Sequence, residues 1–289
     1  MPTQLDLKRR IRSVRNTQQI TRAMKFVAAA RLRRAQEKAF SARPYARALM
    51  RVVRSAVARV PATAHPLLLR RPEERVLLLV ISGERGLCGA FNANVIRRAI
   101  EFLRNRASQM LTVIALGRKG RDALRKQRWK VVAEYVDITT RAERAHAVEI
   151  AQRITGLYEA DEIDAVYIVF NELKSVLTQN LTLEKLLPIE PEKPGGEAAA
   201  DQATVEYLYE QPRTEMFARL LPRCLEMQVF RALAESAASE HAARMTAMDS
   251  ATNNAAELID QLTLYMNKVR QAAITKEIIE VVSGAASAG

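Results

Sequence analysis

Two stretches of this chain contain almost nothing that stops a helix. Residues 3–59 carry a single breaker, Pro44, and residues 213–283 carry only Pro222 and no glycine. At 1.5 Å per residue, helices over these spans are roughly 85 and 105 Å long. Helices of that length cannot fold back into a compact domain and have to pair. Because they flank a central segment, antiparallel pairing is the simplest arrangement. Alternating steps of four and three from Leu7 to Val60 meet an apolar residue at thirteen of sixteen positions, the pattern of a coiled-coil seam. Gln18, Thr21 and Lys25 interrupt it, while Ile20, Met24 and Val27 form a second stripe beside it. The expectation is that the seam changes face near this end, and that Pro44, which lacks an amide donor, bends the helix.

The same stepping in the C-terminal stretch gives Ala234, Ala237, His241, Arg244, Met248, Ala251, Ala255, Leu258, Leu262, Tyr265, Val269, Ala272, Lys276 and Ile279. Eleven of these fourteen are apolar. Between the two stretches the pattern switches to alternating α/β. Residues 75–82, 111–117, 130–135 and 164–172 read as buried strands, with helical stretches at 92–107, 118–128 and 141–158 between them. That alternation predicts a right-handed parallel wind. Residues 175–188 read as an added antiparallel strand, 189–203 as a mobile proline-, glycine- and acid-rich loop, and 204–212 as a short returning strand. The predicted organisation is an N-terminal coiled-coil helix (1–60), a central Rossmann-like α/β domain (75–188), the loop, the short strand, and a C-terminal coiled-coil helix (213–289).

Charge narrows the function. Sixteen Lys and Arg stand against two acids in residues 1–60, so the whole net charge of +13 is carried there. A basic helix of this kind seeks nucleic acid, an acidic lipid surface or an acidic protein surface. The 289 residues hold two cysteines, Cys88 and Cys224, too few for a disulfide framework. No secretory leader, organellar transit segment or membrane span is expected.

The stretch Ile81–Ala93, ISGERGLCGAFNA, has the strand–turn–helix form of a phosphate cradle. Its glycines, Gly83, Gly86 and Gly89, fall at steps of three, without the close pair of a dinucleotide turn, and no Gly-Lys pair exists for a P-loop. His65, His146 and His241 are scattered, and no metal, hydrolase or redox motif occurs. An enzyme is therefore disfavoured, and neither a cofactor nor a metal is expected. Two classes remain: a nucleic-acid binder using the basic helix, and a mechanical element in which paired helices project from a globular foot. Aromatic residues do not interleave with the arginines, which favours the second.

Several collinear motifs carry a family resemblance. RIRSVRNTQQITRAMKFVAAARLRRAQ, RGLCGAFN, YLYE, LLPRCLEMQVFRAL, SEHAARMTAMDSATNNA and VRQAAITKEIIEVVSGAA closely resemble, in order, the γ subunit of bacterial F-type ATP synthases. The resemblance implies a central rotor shaft, one copy per complex. Its partners would be an α3β3 hexamer, an ε subunit and a membrane ring of c subunits, with no nucleic acid. It implies further that Thr17, Met24, Lys25, Arg244, Arg270, Gln271, Thr275 and Glu277 match positions facing the β subunits, with Lys25 as an ionic catch. Tyr207, Tyr209 and Glu210 match the foot on the ring, where ε also docks. The last residues, SGAASAG, match a smooth tip. Asp249 and Ser250 receive no role. The paired cysteines of the chloroplast-type insert are missing, so thiol control is not expected. The implied location is peripheral, on the cytoplasmic face of a bacterial inner membrane.

Overall fold

A computed structural model describes residues 3–140, 142–190 and 212–287. The chain forms α1 (Gln4–Val57), β1 (Arg75–Ile81), α2 (Phe91–Arg104), β2 (Met110–Leu116), α3 (Arg118–Lys126), β3 (Val131–Tyr135), α4 (Arg144–Glu159), β4 (Ala165–Leu173), β5 (Gln179–Leu187) and α5 (Arg213–Ser287). Pro44 lies inside α1 and Pro222 inside α5. The expected loop and the strand at 204–212 lie outside the described residues, apart from Ile189, Glu190 and Pro212. The chain divides into two compact units, Met1–Ala28 with Arg244–Gly289, and Ala29–Ala243.

The larger unit is built on a five-stranded sheet in the order β3-β2-β1-β4-β5. The first four strands run parallel and β5 pairs antiparallel with β4. Strand β1 is central. Its sequence, RVLLLVI, is apolar without alternation because both of its faces are covered. Val76, Leu78 and Val80 point to one face, where Val95, Ala99 and Leu103 of α2 and Leu124 of α3 cover them. Leu77, Leu79 and Ile81 point to the other, against Ala147, Ile150, Ile154 and Tyr158 of α4. That second face also takes Val53, Ala56 and Val57 of α1 and Phe217, Leu221, Leu225 and Val229 of α5. Both long helices therefore share one core with the sheet. Each large aliphatic side chain buried there contributes about 1.5–3 kcal/mol.

Polar contacts fix the same assembly in position. Arg43 of α1 donates two hydrogen bonds of 2.8 Å to the carboxylate of Glu235 on α5. Glu235, 1% exposed, also accepts from the amide of Leu173 at 3.1 Å, and Arg43 donates to the Leu173 carbonyl. One ion pair thus joins α1, α5 and the end of β4. At the opposite end of the sheet Asp164 accepts from the amide of Arg75 (2.8 Å) and from its guanidinium (2.6 Å), tying the start of β1 to the start of β4. The Arg75 hydrogen bonds hold the Asp164 carboxyl below the ordinary aspartate value. Burial pushes the Cys224 thiol up to about 11, which leaves it unreactive.

These contacts set three outcomes. Leu225→Ala lowers the unfolding free energy by about 2–5 kcal/mol in a denaturant titration, because it opens a cavity where α5 meets the sheet. Glu235→Ala costs about 3–5 kcal/mol, since it leaves the Arg43 charge without a carboxylate and the Leu173 amide without an acceptor in a largely buried site. The depressed Asp164 contributes stability that is complete above its unfolded value, about 3.9, and is lost as pH falls through the lower folded value. Circular dichroism between pH 5 and pH 2 should show a shallower acid decline for Asp164→Asn, from a lower starting stability at neutral pH.

Candidate functional site

The glycine-rich turn after β1 is filled by the chain's own polar groups. The Glu84 carboxylate, 5% exposed, accepts from the amide of Arg118 at 3.1 Å and from the Thr139 hydroxyl at 3.3 Å. It occupies the N-terminus of α3, where an anion would otherwise bind. The Ser82 hydroxyl accepts from the amide of Gly120 at 2.7 Å, and the Gly83 amide donates to Asn92 Oδ1 at 2.8 Å. Gly117 has φ +97°, and a Cβ there would stand 2.1 Å from the Ser82 carbonyl oxygen. These contacts tie the turn to the starts of α2 and α3.

A cleft of about 690 Å³ lies in the larger unit, lined by Arg31, Arg34, Lys38, Arg85, Glu84, Asp137, Glu143 and His241 among others. Its charges are mixed, and two of its acids are already engaged: Glu84 as described, and Asp137 with Arg118. Among the described residues no group of His, Cys, Asp and Glu could hold a metal ion.

The eight residues matched to β-facing positions lie in the smaller unit, with the two helix ends antiparallel. Thr21 and Thr252 hydroxyls meet at 2.8 Å, and Lys25 Nζ stands 2.6 Å from Asp249 Oδ1. Gln18, Thr21 and Lys25 remain on the seam: Thr21 is 8% exposed and the other two are half-buried. Of the expected second stripe, Ile20 and Val27 are 60% and 53% exposed, while Met24 is half-buried. The seam therefore keeps its face, because the polar residues find polar partners across it. On α5 the buried line runs through Met248, Ala255 and Ile259, with Leu262, Met266 and Val269 half-buried. Leu258 and Tyr265, expected on that stripe, point outward.

The pairing register decides where the remaining residues fall. Seventeen residues before Thr21 is Gln4, the first residue of α1; seventeen after Thr252 is Val269. Beyond that point α5 has no facing helix in this unit, and residues 270–283 are exposed without exception. Thr17, Met24 and Lys25 thus lie level with the part of α5 that begins just beyond Arg244. Arg270, Gln271, Thr275 and Glu277 lie on the projecting turns, with Gln271 roughly 33 Å along the axis from Asp249. The eight form two groups and do not converge. Thr17 donates to the Ser13 carbonyl and Thr275 to the Gln271 carbonyl, so both hydroxyls are spent on their own helix. Tyr207, Tyr209 and Glu210 lie outside the described residues. Asp249 and Thr252 are contributors that reading the sequence missed. Polar residues recurring at mirrored positions of two facing seams were the available signal.

Comparison with known proteins closes the matter of kinship. Residues 3–288 match the family model described as ATP synthase. The chain is 53% identical to the ATP synthase gamma chain of Solibacter usitatus, over the full length of both. It is 45% identical to that of Pelotomaculum thermopropionicum, over 99% of both. Among solved structures it resembles the rotor of the Euglena gracilis mitochondrial ATP synthase, with TM-score 0.66 and 19% identity over 94% of this chain and 99% of that one. It also resembles the central stalk and c-ring structure of the Tetrahymena thermophila mitochondrial enzyme, with TM-score 0.62 and 23% identity over 80% and 99%. A long antiparallel helix pair, a sheet packed on the same helices and full-length identity to bacterial gamma chains together mean that this chain belongs to the ATP synthase gamma-chain family.

Proposed function

We propose that this chain is the central shaft of a bacterial F-type ATP synthase. It couples ion-driven rotation of a c-ring to the catalytic sites of an α3β3 hexamer and carries no catalytic site itself. The observation that carries the reading is the projecting end of α5. Ile274, Ile278, Ile279, Val281 and Val282 are 48–72% exposed on a helix with no neighbour in its unit. Apolar surface of that extent marks a surface made for a partner, and a hexamer's central bore is such a partner. The exposed Arg9, Arg10, Arg12, Arg15 and Arg22 surround the seam of α1 and suit an acidic sleeve.

Rotation acts through differential contact. Moving one catalytic site from 1:99 to 99:1 between two conformations takes about 5.5 kcal/mol of preference for one of them. An asymmetric pair of helices supplies that preference by presenting a different side to each β subunit in turn. Arg270, Gln271, Thr275 and Glu277 are the exposed polar contributors at the projecting end. Thr17, Met24, Lys25 and Arg244 contribute further down. The larger unit, together with Tyr207, Tyr209 and Glu210, would rest on the c-ring and ε. Among the described residues no helix is long and apolar enough to cross a membrane. Attachment at the cytoplasmic face of the inner membrane would therefore run through the c-ring.

Reconstitution tests the reading. ATP hydrolysis by matched bacterial α and β subunits should rise at least about tenfold when this chain is added, and the chain alone should hydrolyse none. Unchanged hydrolysis together with tight, salt-sensitive DNA binding would establish a nucleic-acid role instead. Ile278→Asp combined with Val282→Asp should cut the stimulated rate while leaving the melting temperature of the isolated chain within about 2 °C, because both side chains are exposed.

A further inference from the structure

We propose that Asp249 is a positioning residue for Lys25. Together the two form a cross-helix staple whose opposite charges act as a unit within the shaft, and Lys25 is not a bare cation offered to a β subunit. The inference rests on the shaft reading and refines it.

Lys25 Nζ lies 2.6 Å from Asp249 Oδ1, and the two side chains are 37% and 47% exposed. Of the acids in this unit, Asp249 alone stands level with Lys25. On the same chain ends Asp6 lies nineteen residues earlier on α1, and Glu257 lies eight residues further along α5. One turn away the Thr21 and Thr252 hydroxyls meet, and Thr252 also reaches the Met248 carbonyl at 2.7 Å. The seam thus has a polar step, flanked on α1 by Leu7, Ile11 and Val14 on one side and Ala28 on the other.

A purely apolar seam resists axial shear weakly. When its helices slide by one heptad, apolar side chains again cover one another. The polar step changes this. A heptad slide would set Thr21 against Ile259 and Lys25 against Ala256: the Thr21 hydroxyl would keep its bond to the Gln18 carbonyl but lose Thr252, and the half-buried Lys25 ammonium would lose its carboxylate to an apolar neighbour. Polar seam residues are the known means by which paired helices specify one register. A shaft that transmits torque is loaded in shear between its two helices, so directional contacts matter there more than their stability increment suggests. Solvent screening at half-exposed side chains keeps that increment small.

A charge-reversal cycle separates the staple from a partner-facing catch. Lys25→Asp, Asp249→Lys and the double reversal are assembled with α, β and membrane subunits, and proton pumping per ATP hydrolysed is measured. Each single reversal should lower the ratio at least about threefold, and the double reversal should restore it to within about 1.5-fold of the parent. A double reversal as impaired as Lys25→Asp would overturn the staple, because Lys25 would then be acting on an acid outside this chain. Single reversals without effect would overturn it as well. The same cycle on the isolated full-length chain, read by thermal denaturation, does not depend on assembly. Single reversals should lower the melting temperature by about 2 °C and the swap should regain it. Failure of the unmodified chain to stimulate αβ hydrolysis would remove the shaft reading, and the melting cycle would then decide the staple by itself.

Discussion

A helix with one apolar stripe has to cover it with something, and here both long helices meet that requirement twice over. In the larger unit, α1 and α5 lay their stripes against one face of the sheet, where Val53 and Phe217 enter the same core as Leu77, Leu79 and Ile81. In the smaller unit they have only each other. The remaining architecture follows from this division. The sheet needs a continuous apolar run in β1 because helices cover both of its sides. The ion pair of Arg43 with Glu235 lies where three elements meet and no single apolar contact would orient them.

Much of this was legible in the residues, for identifiable reasons. Strands buried on both faces read as unbroken apolar runs, so β1, β2 and β4 stand out in the sequence to within a residue or two. The heptad phase of α1 was also legible: every position of its predicted seam is buried or half-buried. The phase on α5 was lost where the true line steps to Ile259 and Met266, because Leu258 and Tyr265 are apolar too and a one-residue shift looks equally good. The polar trio was misread because polarity at a seam position was taken to mean that the seam had left. Polarity there means exposure only when nothing polar faces it, and Thr252 and Asp249 do.

The site itself was legible only through family resemblance. Nothing in the spacing of Arg270, Gln271, Thr275 and Glu277 distinguishes a contact surface from any solvated helix; the register adds only that they lie past the end of the facing helix. The glycine-rich turn teaches the converse. Its strand–turn–helix outline suggested phosphate, yet the Gly83 amide donates to Asn92, and Glu84 and Ser82 accept from amides at the start of α3.

The final turns of α5 have one further consequence. From Arg270 onward the helix is held by its own backbone hydrogen bonds and local pairs such as Lys276 with Glu280, and a lone helix of that length is only marginally favoured in water. The isolated chain would therefore display a fraying, isoleucine- and valine-rich end. The projecting end thus depends on a partner both to cover its apolar side chains and to keep its helix wound.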